Sequence, residues 1–335
     1  MAIQVRAIAY GGAAYDALRR AVTAAKTGDA LAPVTLIVPT NLCGVIARRA
    51  LARGYRDDRP GVAGLTVATI PRVAEWLAAP TLAGTGRRPL AGSILAAAWR
   101  RALGDDAGPF APVARHPSTV QALVEAHRAL RDVSDRALDA IAAATPLAAH
   151  VVRLHRRVVS ALADRWYDTV DLLRIAGSLA PSSYERLGTV VLFLPQELDQ
   201  SSAALVRRVG TSGAVRAVVG LTGDARADAA VRRSLDRLGL AHDGIEAPTP
   251  PIATRVLHAS DADDEVRCVV RDVVGTLGAT PAHRIAILYG SADPYARLLH
   301  EHLDAAGIRV NGPGVRPLRE HAVARGMLEL LALPD

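Results

Sequence analysis

Hydrophobic and polar positions alternate between two periods along this chain, and the changes of period mark its parts. Ile3 to Tyr10 reads as a buried strand, broken at Gly11-Gly12 and followed by a helix from about Ala14 to Lys26. Val34 to Val38 and Leu65 to Ile70 are further strand-like runs, each leading into a helical pattern, PTNLCGVIARRALARG and PRVAEWL. From Leu90 to about Ala180 the strand signal is lost. Successive amphipathic segments, SILAAAWRRAL, TVQALVEAHRALRD, SDRALDAIAAA, AAHVVRLHRRVVSALADRW and DTVDLLRIAGSL, are separated by Pro, Gly or Ser-Asp caps. Strand signals return at Thr189 to Leu194 and Val215 to Leu221, with a helix between them. A Pro-rich linker, Glu246 to Ala253, precedes a last region. There RVLHAS is a short strand-like run. Val266, Val269, Val270, Val273, Val274 and Leu277 recur at helical spacing up to Gly278. Arg284 to Tyr289 is a second β-rich run, Pro294 to Ala306 a second amphipathic helix, and HAVARGMLELLALPD a final helix stopping at Leu333-Pro334. Strand-helix units in series predict parallel sheets covered by helices, an α/β fold.

At 335 residues and 50% hydrophobic content the chain is long enough for two or three domains with real cores. No run of ~18 apolar residues free of Arg, Asp or Pro occurs, so no membrane span is expected. The N-terminus reads as a strand and not as a signal peptide, and the expected location is cytoplasmic. Cys43 and Cys268 lie far apart within helical patterns and are expected to be buried structural thiols. The formal charge is +7, and its distribution is uneven. Arg and Lys outnumber Asp and Glu by 13 to 5 over residues 1–100, while the remaining stretches are close to neutral. A basic region of this kind suits a phosphate backbone; it also suits a solvated Arg-rich surface.

Two turns and three histidines are the candidates for chemistry. A strand, a glycine turn and a helix is where a nucleotide-binding fold cradles phosphate. This turn, YGGAAYDAL, holds neither the Lys nor the Ser or Thr that a working phosphate loop needs. Lys26, the sole lysine, lies at the far end of the following helix, about 20 Å away at 1.5 Å per residue. Thr40-Asn41, followed by Arg48, Arg49 and Arg53, is either a helix N-cap with an exposed basic face or a phosphate contact. His127, His150 and His155 lack metal-ligand spacing and a matching carboxylate, and surface or half-buried histidines are expected.

The acidic helix start DDEVRCVVRDV, the strand-like IAILYG, Asp293-Pro294-Tyr295, a helix and AGI resemble the start of the second RecA-like domain of UvrD-type helicases. The resemblance is greatest to the helicase-like AddB and RecC subunits of bacterial end-processing complexes, proteins associated with PD-(D/E)XK nucleases. It extends over nearly the whole chain as an ordered set of segments. It implies a RecA-like, P-loop NTPase-like first domain from 1–90 and 182–247, an all-helical insertion at 91–181, and the beginning of a second RecA-like domain at 254–335. Thr40-Asn41 resembles the family's Thr-Asn that touches the DNA backbone, and Thr69 with Arg72 the segment after the third strand. The resemblance therefore implies DNA contacts at Thr40, Asn41, Arg48, Arg49, Thr69 and Arg72. The nucleotide site would be degenerate at Gly11, Gly12, Gln196, Glu197, Asp224 and Arg297. The strand that ends in Asp-Glu in an active helicase here ends Pro195-Gln196-Glu197, and Gly223-Asp224 lacks its following Gln. ATP and Mg2+ binding are expected to be lost, and no cofactor or metal is expected. Expected partners are single-stranded or end DNA and a motor helicase-nuclease subunit. An interaction scaffold without DNA binding, and an ATP-dependent helicase with a divergent nucleotide site, are the alternatives. A nuclease domain beyond residue 335 is a further expectation.

Overall fold

The structure is a computed structural model that describes residues 3–54, 60–241, 248–249, 255–312 and 321–331. The chain forms two compact units, Met1–Pro251 and Ile252–Asp335.

The first unit opens with β1 (Gln4–Ala9), α1 (Gly12–Ala25), β2 (Val34–Ile37), α2 (Asn41–Ala52), β3 (Leu65–Ala68) and α3 (Ile70–Ala83). The helical stretch follows as β4 (Arg88–Pro89), α4 (Gly92–Asp105), α5 (Pro117–Leu130), α6 (Asp135–Ala144), α7 (Pro146–Ala163), β5 (Trp166–Tyr167) and α8 (Thr169–Ser178). The sheet resumes with β6 (Thr189–Phe193), α9 (Gln200–Ser212), β7 (Val215–Leu221) and α10 (Ala229–Arg237). Five strands pair in the order β1-β7-β6-β2-β3, all parallel. The two-residue strands β4 and β5 pair separately, also in parallel.

Chain direction across the sheet decides which face each helix covers. From β1 to β2 and on to β3 the chain moves one way, and α1 and α2 pack on one face. From β3 to β6 and β7 it moves back, and α3, α8 and α9 pack on the other. Right-handed crossovers require this reversal. Strand residues alternate to match: Val34, Leu36, Val191, Phe193 and Val218 join the α1–α2 core, and Ile37, Val190, Leu192, Ala217 and Val219 join the α3–α8–α9 core. Thr35 falls on the second of these faces, and its buried hydroxyl donates to the Leu187 carbonyl at 2.7 Å. The expectation of a buried strand at Ile3 to Tyr10 needs correction. β1 is an edge strand and is only half-buried, since among the described residues it has a neighbouring strand on one side alone.

The helices between β4 and β5 have their own core, with Leu95, Trp99 and Leu103 of α4, Leu123 and Val124 of α5, and Leu154 and Val158 of α7. α8 lies inside the expected insertion range, yet its Leu173 and Ala176 belong to the sheet core. Two consecutive residues at the end of α5 tie the parts together. Arg131 donates to Asp168 at 2.7 Å and to Asp171 at 2.5 Å, and Asp171 also receives Arg87 at 3.0 Å. Asp132 accepts the Ser201 amide at 2.9 Å and the Ser201 hydroxyl, capping α9.

The histidines are also placed differently from expectation. His127, His150 and His155 are all buried, at 3–4% exposure, because α5 and α7 turn them inward. His127 and His155 meet Nδ1 to Nδ1 at 3.1 Å, one ring donating to the other. Burial holds both uncharged, with the His127 pKa lowered to about 3 and that of His155 to about 4. Cys43 and Cys268 are free and half-buried, not fully buried as expected.

The second unit contains α11 (Ala262–Leu277), α12 (Tyr295–Ala305) and α13 (Ala322–Leu331). Asp261 caps α11 by accepting the Asp264 amide at 2.9 Å, and Gly278 ends it. Val266, Val273, Leu298, Leu299 and Leu303 form the α11–α12 core, while Val274, expected on the apolar face, is exposed. The two strands expected here are absent among the described residues. RVLHAS is exposed, with Val256 at 80%, and of the run Arg284 to Tyr289 the first residue ends a 3-10 turn (Ala282–Arg284) and the rest is an unpaired stretch among the described residues. Ile285 and Ile287 do pack on the helices in the alternation of a strand. A strand needs a neighbouring backbone, and neither segment has one among the described residues. The linker 246–253 and the stop at Leu333-Pro334 lie largely outside the described residues.

Candidate functional site

In an open α/β sheet, ligands bind outside the carboxyl ends of the strands, where neighbouring connections leave to opposite faces. Here β1 and β7 part in this way, as do β6 and β2, and β2 and β3. Apart from Arg297, which belongs to the second unit, the candidate residues fall on this edge or on the helices leaving it, in two halves.

The β1–β7–β6 half holds the expected nucleotide-site residues. Gly11 is the N-cap of α1 at φ +89°, a conformation that glycine adopts without strain, and Gly12 opens the helix. No side chain caps α1. A partly exposed tyrosine packs behind this turn. The Tyr10 ring lies over Gly220 so closely that a β-carbon there would stand 2.4 Å from it. Gln196 donates through Nε2 to the Tyr10 hydroxyl at 3.3 Å. Leu194, at the end of β6, turns into this half with φ +49°, unusual for a non-glycine residue. Glu197 is exposed and forms long ion pairs with Arg233 at 3.6 Å and Arg237 at 3.8 Å. Asp224 accepts the amides of Arg226 and Ala227 at 2.9 and 2.8 Å, closing its own turn.

Asp228, which sequence reasoning passed over, holds this turn from beneath. Its buried carboxylate accepts the amides of Thr222 and Gly223 at 2.7 and 2.9 Å and the Thr222 hydroxyl at 2.8 Å. Burial would raise its pKa, but these donors and the Arg232 charge outweigh that and leave it below the ordinary carboxylate value. Three residues lie between Asp224 and Asp228, and nothing in the local sequence distinguishes Asp228 from a surface acid. Asp199 and Asp132 close the N-terminus of α9. Lys26, expected at the far end of α1, is there, fully buried, and donates to the carbonyls of Ala30 and Ala32 at 3.2 and 2.5 Å. Arg297 belongs to the second unit, where it pairs with Glu301 at 2.9 Å.

The β2–β3 half is arranged differently. Thr40 caps α2, its hydroxyl accepting the Cys43 amide at 3.2 Å. Asn41 is exposed beside it. Thr69 is the half-buried N-cap of α3 on the adjacent strand, with no side-chain cap bond. Arg72 is engaged, paired with Glu75 and stacked on Trp76 at 5.7 Å. Arg48, Arg49 and Arg53 are exposed along α2, and among the described residues no carboxylate pairs with them. Leu42, Val45 and Ile46 are also exposed on α2, in its first half. The edge thus brings Thr40, Asn41, Thr69 and Arg72 together, while Arg49 lies about 12 Å further along the helix at 1.5 Å per residue.

Among the described residues no group of three or more His, Cys, Asp or Glu side chains could hold a metal ion, and no helix is long and apolar enough to cross a membrane. The chain matches no protein-family model and no curated protein.

Proposed function

We propose that this chain is a RecA-like, non-motor subunit that holds single-stranded DNA along the β2–β3 edge of its sheet and along α2. It works beside a partner that hydrolyses ATP in a double-strand-break processing complex, and its second unit begins a further RecA-like domain. The observation that carries the reading is the row of Arg48, Arg49 and Arg53, exposed and without carboxylate partners among the described residues, running from the Thr40-Asn41 turn that follows β2. Cations held in this way release counterions when a phosphate backbone replaces water around them. The Tyr10 ring over Gly220, held by Gln196, and a glycine turn without Lys, Ser or Thr support a role without ATP turnover.

Fluorescence anisotropy with a single-stranded oligonucleotide, across a salt series and with or without ATP, tests this. Binding should weaken steeply with salt and ignore ATP. Replacing Arg48, Arg49 and Arg53 with Ala should flatten the logarithmic salt slope by about 2, at roughly 0.7 per phosphate contact. A wild-type protein that fails to bind at low salt sinks the proposal. A second reading, a protein-interaction scaffold, draws on the exposed Leu42, Val45 and Ile46. It expects no DNA binding and a stable complex with a motor helicase that is lost on changing these three residues to Ser.

A further inference from the structure

We infer that the cavity between α1 and the amino ends of β1 and β7 binds a small anion with two or more adjacent negative charges, such as a diphosphate. The cavity has a volume of about 310 Å³, at the lower end of the range that small-molecule sites occupy. Gln4, Arg6, Arg20, Ala24 and Arg216 are among the residues that line it, and no acid is.

Strand pairing and helix packing bring the three arginines to one place. β1 and β7 run parallel, with Gln4 beside Arg216 and Arg6 beside Val218. Val218 belongs to the α1–α2 core, and strand residues two apart share a face, so Gln4, Arg6 and Arg216 lie on the face that α1 covers. On α1, Ala17, Ala21 and Ala24 form one stripe against these strands, and their small side chains leave the room that the cavity occupies. Arg20 lines the same space from the helix.

The charge gathered there is unspent. Among the described residues Arg6, Arg20 and Arg216 have no carboxylate partner, and Asp16, one helical turn before Arg20, is taken by Arg19 at 2.7 Å. Arg216 is half-buried, and its Nε is shut from water without a hydrogen-bond partner. A guanidinium that has lost part of its hydration and gained no acceptor is costly, and two further cations on the same lining add to the cost. A multiply charged anion relieves both. The planar fork of arginine donors matches pairs of phosphate oxygens, and the Gln4 side chain adds neutral hydrogen-bonding groups. No aromatic ring lines the cavity, so nothing there stacks a base, and the lining suits a compact phosphate better than single-stranded nucleic acid. The site is separate from the DNA-holding reading, because it lies toward the amino ends of the strands and none of its residues is on α2.

Titration calorimetry of the whole chain with inorganic pyrophosphate, without added metal, tests it. One-to-one saturable binding is expected. It should persist when Arg48, Arg49 and Arg53 are changed to Ala, so this inference and the DNA-holding reading fail separately. Arg216→Gln should weaken the affinity by about tenfold, the loss of one charge-assisted contact, and Arg6→Gln and Arg20→Gln by smaller factors. Ala24→Glu, at an exposed helical position, sets a carboxylate on the lining and should abolish binding while thermal unfolding shows the protein folded. That variant keeps the test decisive if Arg216→Gln unfolds the chain. No saturable binding to the wild type overturns the inference and leaves the arginines as charged guards of an edge strand. Binding that Arg216→Gln and Ala24→Glu both leave unchanged overturns it too. Displacement of pyrophosphate by an oligothymidylate would give the site to a nucleic-acid backbone and overturn the small-anion reading.

Discussion

The two halves of the sheet's carboxyl edge differ in what their polar groups are bonded to. On the β1–β7–β6 half, the protein satisfies itself. Tyr10 packs over Gly220, Gln196 holds the tyrosine, Asp224 and Asp228 bind the amides of their own turn, and Asp132 with Asp199 caps α9. On the β2–β3 half, Asn41 and three arginines of α2 face outward without carboxylate partners among the described residues. Both halves come from strand-turn-helix units. The difference teaches that a turn's motif states what it could bind, and its neighbours decide whether that capacity is already used.

The contrast predicts stability losses on the closed half and binding losses on the open one. The largest effect belongs to Asp228. Asp228→Ala leaves two buried amides and a hydroxyl without their acceptor and should cost about 2–3 kcal/mol in urea unfolding. A loss within experimental error would show that the turn holds without it. pH resolves the same residue. Its folded pKa lies below the ordinary value, so its contribution is present above about pH 4 and disappears as pH falls through the folded value. The histidine pair acts in a higher window. Its folded pKa values of about 3 and 4 lie below the ordinary 6.5, so stability should decline from pH 6.5 downward as the unfolded chain takes up protons the folded one refuses. Asp228→Asn should therefore lower stability above about pH 4 and flatten the acid limb of the profile, while the decline that begins near pH 6.5 stays in place.

Gly220→Ala comes next. The added β-carbon collides with the Tyr10 ring and approaches Leu194, at an expected cost of about 1–3 kcal/mol. Tyr10→Ala in the same chain should recover much of this, and an additive double variant would mean that the ring is not the obstacle. Thr40 separates capping from binding. Thr40→Ala should lose about 1 kcal/mol, and Thr40→Asp should keep the cap. The same aspartate should weaken oligonucleotide binding, and unchanged binding would remove Thr40 from the interface. Smallest in stability, within about 0.5 kcal/mol, is the triple replacement of Arg48, Arg49 and Arg53 by Ala, whose effect should appear in anisotropy.

Much of this architecture is legible in the chain. Periodicity located α1, α2, α9 and α12 and the five sheet strands within a few residues, because each apolar pattern matches one backbone period. The helical stretch was legible for the same reason. Its short β4–β5 pair was not, since two-residue strands leave no period to read. Of the candidate residues, Gly11, Gln196 and Asp224 do gather at the expected edge, whereas Tyr10 and Asp228 close it unannounced. The inward turn of the three histidines depends on how α5 and α7 face their neighbours, which spacing alone does not define.

The sequence by itself determined the local elements and the α/β class, through apolar period, glycine turns and caps that act over a few residues. Tertiary structure decided what depends on distant partners: strand order, the exposure of β1, the burial of Lys26 and of the histidine pair, and the spent polar groups beneath the glycine turn. It also left RVLHAS and IAILYG without ladders among the described residues. Their alternation is local, but a strand exists only when another backbone lies alongside to take its hydrogen bonds.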